Sequence, residues 1–318
     1  FDLEDAVSPA EKDAARILVR NTMTYMDFRG CETIVRINGI DTPYWQEDLD
    51  EVLPCRPNLI LLPKTGTAAD VQTADAYMTQ VEQRLGLAPN TVGLVALIET
   101  ALGVENAFAI ASASPRVTAL FLGAEDLTAD LQCKRTKESR EIEYARTRLV
   151  VAARAAGVDV YDTPFTDVND DEGIEVDALH AKALGFTGKA SISPRHVEVI
   201  NRVFSPSQAD IDYAYEVMEA IRIGKEQGKG AVALRGKMID APIVARAQRT
   251  IAMAQELGLD QFSDSFHVGS IPPVPLEREN SLPVGRGQRG RSISRVFSSM
   301  YCRIHRMTRT SARETSPS

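Results

Sequence analysis

The chain has 318 residues, 44% hydrophobic and 25% charged, with a formal net charge of −8, enough to bury a large α/β core in one or two domains. Four scattered cysteines, Cys31, Cys55, Cys133 and Cys302, form no CxxC pair, which argues against a zinc ribbon or a disulfide framework and for a reducing compartment. No apolar run approaches the roughly 20 residues of a membrane span, and nine arginines against three acids from Leu276 onward leave an acidic body that is a poor nucleic-acid surface.

In chain order, short apolar or β-branched runs recur as "FDLEDAV", "TIVRING", "NLILLPKT", "VGLVALIET", "VTALFLGAED", "VDVYDTPF" and "GFTGKASISP". Segments of helical spacing separate most of them. In 68–85, for example, Val71, Ala74, Met78, Val81 and Leu85 form one stripe. Strands alternating with helices predict parallel pairing, with strands buried on both faces.

Polar residues crowd the C-terminal ends of these seven runs: Arg36 and Asn38, Lys64, Glu99, Glu125 with Asp126, Asp162, and Ser191 with Ser193. A doubly wound sheet would gather ligands at one switch point, whereas a TIM-type β/α barrel builds its site from the loops after many strands. The fold expected over 1–205 is therefore the barrel. Because the chain opens inside "FDLEDAV", one β/α unit of about 30 residues is expected to be missing from it.

Residues 206–259 read as a C-terminal helical extension of two helices around a Gly-rich break. Ser207 caps the first, and Pro242 sits in the first turn of the second. The remaining 260–318 is rich in Arg, Ser and Gly and reads as an irregular, disordered basic tail.

Glu99 and Asp126 lie 27 residues apart, one β/α unit, so adjacent parallel strands carry them to the same rim. Two carboxylates so placed repel, and a divalent cation relieves the repulsion. With no histidine or cysteine nearby, Mg²⁺ or Mn²⁺ is preferred to zinc. Equally, both Asp126 and Glu125 suit the start of a helix. Arg36 could hold a carboxylate in bidentate fashion, or pair internally with Glu4 or Asp5. Lys64 could form a Schiff base, although pairing with a buried acid is the commoner fate of such a lysine. His180, His196, His267 and His305 read as surface residues, which leaves no Ser/His/Asp chemistry.

Together "FDLEDAV", "VRIN", "LILLPK", "LIET", "GAEDLTADL", "TPF.D", "GKASISP" and "G.MIDAP" resemble the citrate lyase β-subunit-like group of the HpcH/HpaI aldolase superfamily, which includes malyl-CoA and citramalyl-CoA lyases. The resemblance runs from Phe1 to about Leu259. It implies a barrel that cleaves or forms a carbon–carbon bond in a 3-hydroxyacyl thioester carried by CoA or an acyl carrier protein. By the same resemblance Glu99 and Asp126 are the Mg²⁺ ligands, and Arg36 holds the keto-acid and its developing charge. Asp240 of "MIDAP" is the general acid/base that enters a neighbouring subunit's site. A homo-oligomer, trimer or hexamer, is implied with it. Backbone N–H groups around Gly123, Ala124 and Glu125 are expected to bind the substrate carboxylate. An intracellular location is expected, cytoplasm or mitochondrial matrix. Two departures stand out: the arginine-bearing first strand with which members of the group normally begin is absent, and the chain after Leu259 does not follow the group's end; Ser193 also stands where many members carry histidine. The other readings are a metal-independent Schiff-base aldolase using Lys64, and a non-catalytic truncated subunit whose basic tail binds an acidic partner.

Overall fold

A computed structural model describes residues 1–228 and 231–260. The basic tail predicted for 260–318 therefore lies, after residue 260, outside the described residues. Two compact units divide the chain between Phe204 and Ser205.

In the first unit six parallel strands form one sheet: β1 (Ile34–Arg36), β2 (Leu59–Leu62), β3 (Gly93–Ile98), β4 (Val117–Leu122), β5 (Asp159–Asp162) and β6 (Gly188–Lys189), paired in the order β1-β2-β3-β4-β5-β6. The helices are α1 (Lys12–Tyr25), α2 (Trp45–Val52), α3 (Ala68–Arg84), α4 (Ala101–Glu105), α5 (Ala107–Ala111), α6 (Ala124–Asp130), α7 (Glu143–Ala156), α8 (Asp171–Leu184) and α9 (Pro194–Phe204). Spatial order follows chain order without reversal. Parallel crossovers follow the right-handed rule, under which an order without reversal carries successive helices to one face, the winding of a β/α barrel and not of a doubly wound sheet.

The near-continuous burial of β3 fits a strand covered on both faces. In α3 the capping box of Thr67 and Asp70 fixes the start, and Val71, Ala74, Met78 and Val81 are buried as their spacing predicts. Leu85 falls past the helix end and is exposed.

The first and last predicted strands are shorter than their sequences suggest. Phe1–Leu3 runs parallel to β1 through a single bridge, Asp2 to Arg36, with the Leu3 N–H on Arg36 O and the Arg36 N–H on Phe1 O, each 2.9 Å. At the other end only Gly188 and Lys189 stay in β6. There the Ser193 N–H turns back to Ser191 Oγ (3.3 Å), a local bond that competes with the ladder, and Pro194 opens α9.

At the N-terminal end of the sheet, Arg116 is buried and donates to Asp75, to Glu82 and to Val92 O, each at 2.7 Å. This clamp ties α3 to the beginnings of β3 and β4. No helix among the described residues is long and apolar enough to cross a membrane.

The second unit contains α10 (Gln208–Glu226) and α11 (Ala241–Leu257), with Ile211, Tyr215 and Met218 buried against Val244, Ala247 and Ile251. Ser207 caps α10 in a capping box with Asp210, and Pro242 lies in the first turn of α11. Between the helices stands a hairpin absent from the sequence reading, β7 (Val232–Leu234) with β8 (Lys237–Ile239). Its two loop residues, Arg235 and Gly236, both have positive φ, as a tight two-residue hairpin requires.

Candidate active site

Because β1 to β6 are all parallel, the residues that follow them gather at one edge of the sheet. Arg36 ends β1, Lys64 follows β2, Glu99 follows β3, Gly123 to Asp126 follow β4, Thr163 follows β5 and Lys189 ends β6. The predicted pair meets there: the buried Glu99 carboxyl interacts with Asp126, in the first turn of α6, by hydrogen bond and by charge.

Two backbone features permit this approach. A Cβ on Gly123 would stand 2.8 Å from both Cβ and Oε2 of Glu99, so glycine alone leaves room for the carboxylate. Lys64 adopts positive φ (50°), unusual for a residue with a side chain, and its N–H reaches Glu99 Oε1 at 2.6 Å. Burial pushes the Glu99 carboxyl up to about 8, the Lys64 N–H opposes the rise, and Asp126 and Glu4 add to it.

The charge around the pair is unbalanced. Arg36 places Nε on Asp2 Oδ1 at 2.8 Å, Nη2 on Asp2 Oδ2, and Nη1 2.9 Å from Glu4 Oε2. Lys64 Nζ lies 3.4 Å from Glu4 and 3.7 Å from Asp5. Among the described residues the carboxylates of Asp2, Glu4, Asp5, Glu99 and Asp126 thus gather about the side chains of Arg36 and Lys64. Burial holds Glu4 above its ordinary value, opposed by Arg36 and assisted by Asp5. For Lys64, burial pulls the amine down, but Glu4 and Asp5 outweigh it and hold the amine above its ordinary value.

Glu4 is the residue that sequence reasoning treated only as an ion-pair partner. It is 3% exposed and its backbone is pinned by buried Lys12, which donates to Leu3 O (2.7 Å) and Glu4 O (2.8 Å). The signal was the pattern of "FDLEDAV", where alternation turns Leu3 to the core and sets acids on either side.

The internal pairing weighed for Arg36 is present, with Asp2 as its bidentate partner, Glu4 as a second partner and Asp5 not among them. Two of the five guanidinium N–H donors are thereby hydrogen-bonded to Asp2, while Glu4 is an ion-pair partner 2.9 Å from Nη1. Of the amides expected to bind a substrate carboxylate, Gly123 N–H is taken by Ile98 O (2.9 Å) and Ala124 N–H by Thr163 Oγ1 (3.2 Å). Glu125 is exposed, with Arg135 3.5 Å from its Oε1. Asp240 belongs to the second unit, where its carboxylate caps α11 by accepting the Ile243 N–H at 3.2 Å.

His196 is a correction. Expected at the surface, it is 0% exposed and packs its ring 6.2 Å from that of Phe165. The spacing of His196, Ile200 and Val203 on α9 places all three on one buried face.

Among the described residues no group of three or more His, Cys, Asp or Glu side chains converges on one metal position. Glu99 and Asp126 would accordingly supply two ligands, leaving the other positions to water and substrate oxygens. This is the way Mg²⁺ is commonly held. The surplus of negative charge and the strained protonation of Glu99 fit such a cation.

Residues 1–194 match the family model of the HpcH/HpaI aldolase/citrate lyase family. The chain is 42% identical over 254 residues to the citrate lyase subunit beta of Leuconostoc mesenteroides subsp. cremoris, covering 80% of this chain and 84% of that one. It is 34% identical over 275 residues to the L-malyl-CoA/beta-methylmalyl-CoA lyase of Rhodobacter capsulatus, covering 80% and 86%. The crystal structure of CitE from Mycobacterium tuberculosis in complex with magnesium, acetoacetate and coenzyme A superposes with a TM-score of 0.65, at 31% identity over 80% of this chain and 88% of that one.

Proposed function

Because the chain belongs to the HpcH/HpaI aldolase/citrate lyase family, we propose that it is a Mg²⁺-dependent carbon–carbon lyase acting on a 3-hydroxyacyl thioester of the malyl-, citramalyl- or citryl-CoA type. The products are a keto-acid and an acetyl thioester, and the reverse condensation uses the same groups. The observation that carries this reading is the buried Glu99 carboxyl forced against Asp126 within an excess of carboxylates.

Glu99 and Asp126 hold the cation, which when bound supplies Lewis-acid polarisation of the hydroxyl or keto oxygen beside the scissile bond. Mn²⁺ suits the same oxygen ligands. Arg36 borders the pair and adds fixed positive charge where negative charge develops. Its two bonds to Asp2 orient the guanidinium plane and leave three N–H donors outside that pair. The turn that carries Glu125 and Asp126 offers their backbone amides to the substrate carboxylate, since those of Gly123 and Ala124 are spent within the protein. Asp240, exposed at the start of α11, is assigned the proton transfer to and from carbon in a neighbouring copy of the chain, which makes a homo-oligomer part of the proposal.

The Schiff-base reading is disfavoured by Lys64 itself. An amine nucleophile needs a depressed pKa, and Glu4 and Asp5 hold this one protonated. The basic tail of the non-catalytic reading lies outside the described residues.

The test is turnover of a panel of 3-hydroxyacyl-CoA thioesters with Mg²⁺ and with EDTA, read as release of keto-acid. Cleavage of at least one, abolished by EDTA, is expected. Undiminished cleavage in EDTA, with borohydride inactivation that Lys64→Ala abolishes, would replace this reading by the Schiff-base one.

A further inference from the structure

Behind the rim, between β5, β6 and the helices α7 and α8, lies a buried ionic quartet. Arg146 donates from Nε and Nη2 to the two oxygens of Asp162 at 2.9 Å each, and from Nη2 to Asp177 at 2.7 Å. Lys189 donates to Asp162 Oδ2 at 2.7 Å and faces Asp177 at 2.5 Å. The side chains of Arg146, Asp162 and Lys189 are 0% exposed and that of Asp177 is 5% exposed, with two positive charges balancing two negative.

The quartet makes one further contact towards the rim. Lys189 Nζ also donates to the backbone oxygen of Thr163 at 2.6 Å. Thr163 is 1% exposed, and its Oγ1 accepts the N–H of Ala124, the first residue of α6. Two residues later the same turn presents Asp126 to Glu99. A second tie, from the Ala101 N–H to Asp130 Oδ2 (2.7 Å), holds the far end of α6 to the loop that follows Glu99. A continuous path of hydrogen bonds therefore runs from the buried charges, through Thr163 and its hydroxyl, to the turn that carries one of the two proposed metal ligands.

We propose that Thr163 is a positioning residue for the divalent cation: held by Lys189 of the quartet, its hydroxyl fixes the first turn of α6 and so the placement of Asp126 against Glu99. The inference rests on the metal-site reading above. Residues that orient ligands without touching the metal commonly change its affinity by about 10- to 100-fold. The quartet suits this task because its two positive and two negative charges balance and are removed from water, although Arg146 Nη1 and Asp177 Oδ2 find no hydrogen-bond partner among the described residues, and Lys189 grips the carbonyl from within this charged cluster.

The experiment measures Mn²⁺ binding by electron paramagnetic resonance on the full chain, stripped of metal and without substrate, in wild type, Thr163→Val, Thr163→Ser and Glu99→Gln, with folding followed by circular dichroism. Thr163→Val keeps the volume and removes the acceptor, and is expected to weaken Mn²⁺ binding by about tenfold or more. Thr163→Ser keeps the hydroxyl and is expected to bind within about threefold of wild type, a rescue that a purely steric role would not give. Should Thr163→Val not fold, Thr163→Ala serves as the variant without the acceptor. Wild-type affinity in the variant without the hydroxyl, or equal losses in it and in Thr163→Ser, overturns the positioning role while leaving the metal reading intact. If wild type binds no Mn²⁺, or Glu99→Gln binds it as well as wild type, the metal reading fails and the positioning role with it.

Discussion

Shifting the pH between 6 and 8 perturbs the proposed metal site through Glu99. Burial, with Asp126 and Glu4 beside it, lifts this carboxyl to about 8, so near neutrality the unliganded protein keeps it largely protonated. A cation binds the ionised form, and each pH unit below about 8 then costs about 1.4 kcal/mol, or tenfold in affinity. Metal affinity is accordingly expected to rise about tenfold per pH unit from 6 towards 8 and to level off above it, with release of close to one proton per metal. The metal-free fold should respond in the opposite sense. Since the folded-state pKa lies above the ordinary 4.5, the stabilisation is fully present below that value and is lost as pH rises through about 8. Calorimetry in buffers of different ionisation enthalpy counts the protons, and thermal melts with and without Mg²⁺ report the stability. Glu99→Gln, which keeps an acceptor for the Lys64 N–H, should remove the pH dependence of both. Affinity that is flat between pH 6 and 8 in wild type would refute the reasoning, because it would mean that Glu99 is already ionised without metal.

Gly123→Ala is expected to weaken Mn²⁺ binding and to cost about 1 to 3 kcal/mol in urea denaturation, since the new Cβ would lie 2.8 Å from Glu99; unchanged metal affinity would show that Glu99 can retreat freely. Arg116→Met should destabilise the first unit by about 3 to 5 kcal/mol by leaving buried Glu82 without its cation, with Mn²⁺ affinity of the folded protein unchanged because the clamp lies at the other end of the sheet. Ser207→Ala should cost about 1 kcal/mol of second-unit stability through loss of the α10 cap, seen by hydrogen exchange of the first turn.

The rim was legible because parallel β/α alternation forces the residues after each strand to one edge, and this alone juxtaposed Glu99 and Asp126. The stripe of α3 and the cap of α10 were equally plain, since each depends on neighbours within one turn. The quartet was not legible. Arg146, Asp162, Asp177 and Lys189 sit on four elements, and nothing in the local pattern distinguishes Arg146 or Asp177 from a solvated charge on a helix. His196 was misplaced by residue type, although its spacing to Ile200 and Val203 carried the information. The β7–β8 hairpin was missed because its strands are only three residues long, although Gly236 between them suits the positive φ of a tight two-residue loop. Thr163 was quoted within "TPF.D", but its tie to Ala124 depends on how the loops after β4 and β5 approach, which spacing does not encode.

The central claim is that Glu99 and Asp126 form the metal site of a thioester lyase, and single-turnover cleavage of the best CoA thioester by wild type, Glu99→Gln and Asp126→Asn at saturating Mg²⁺ tests it most directly. Each variant, folded by circular dichroism, is expected to lose at least about a hundredfold in rate, in line with removal of a group that stabilises developing charge. Wild-type rates in either variant would contradict it.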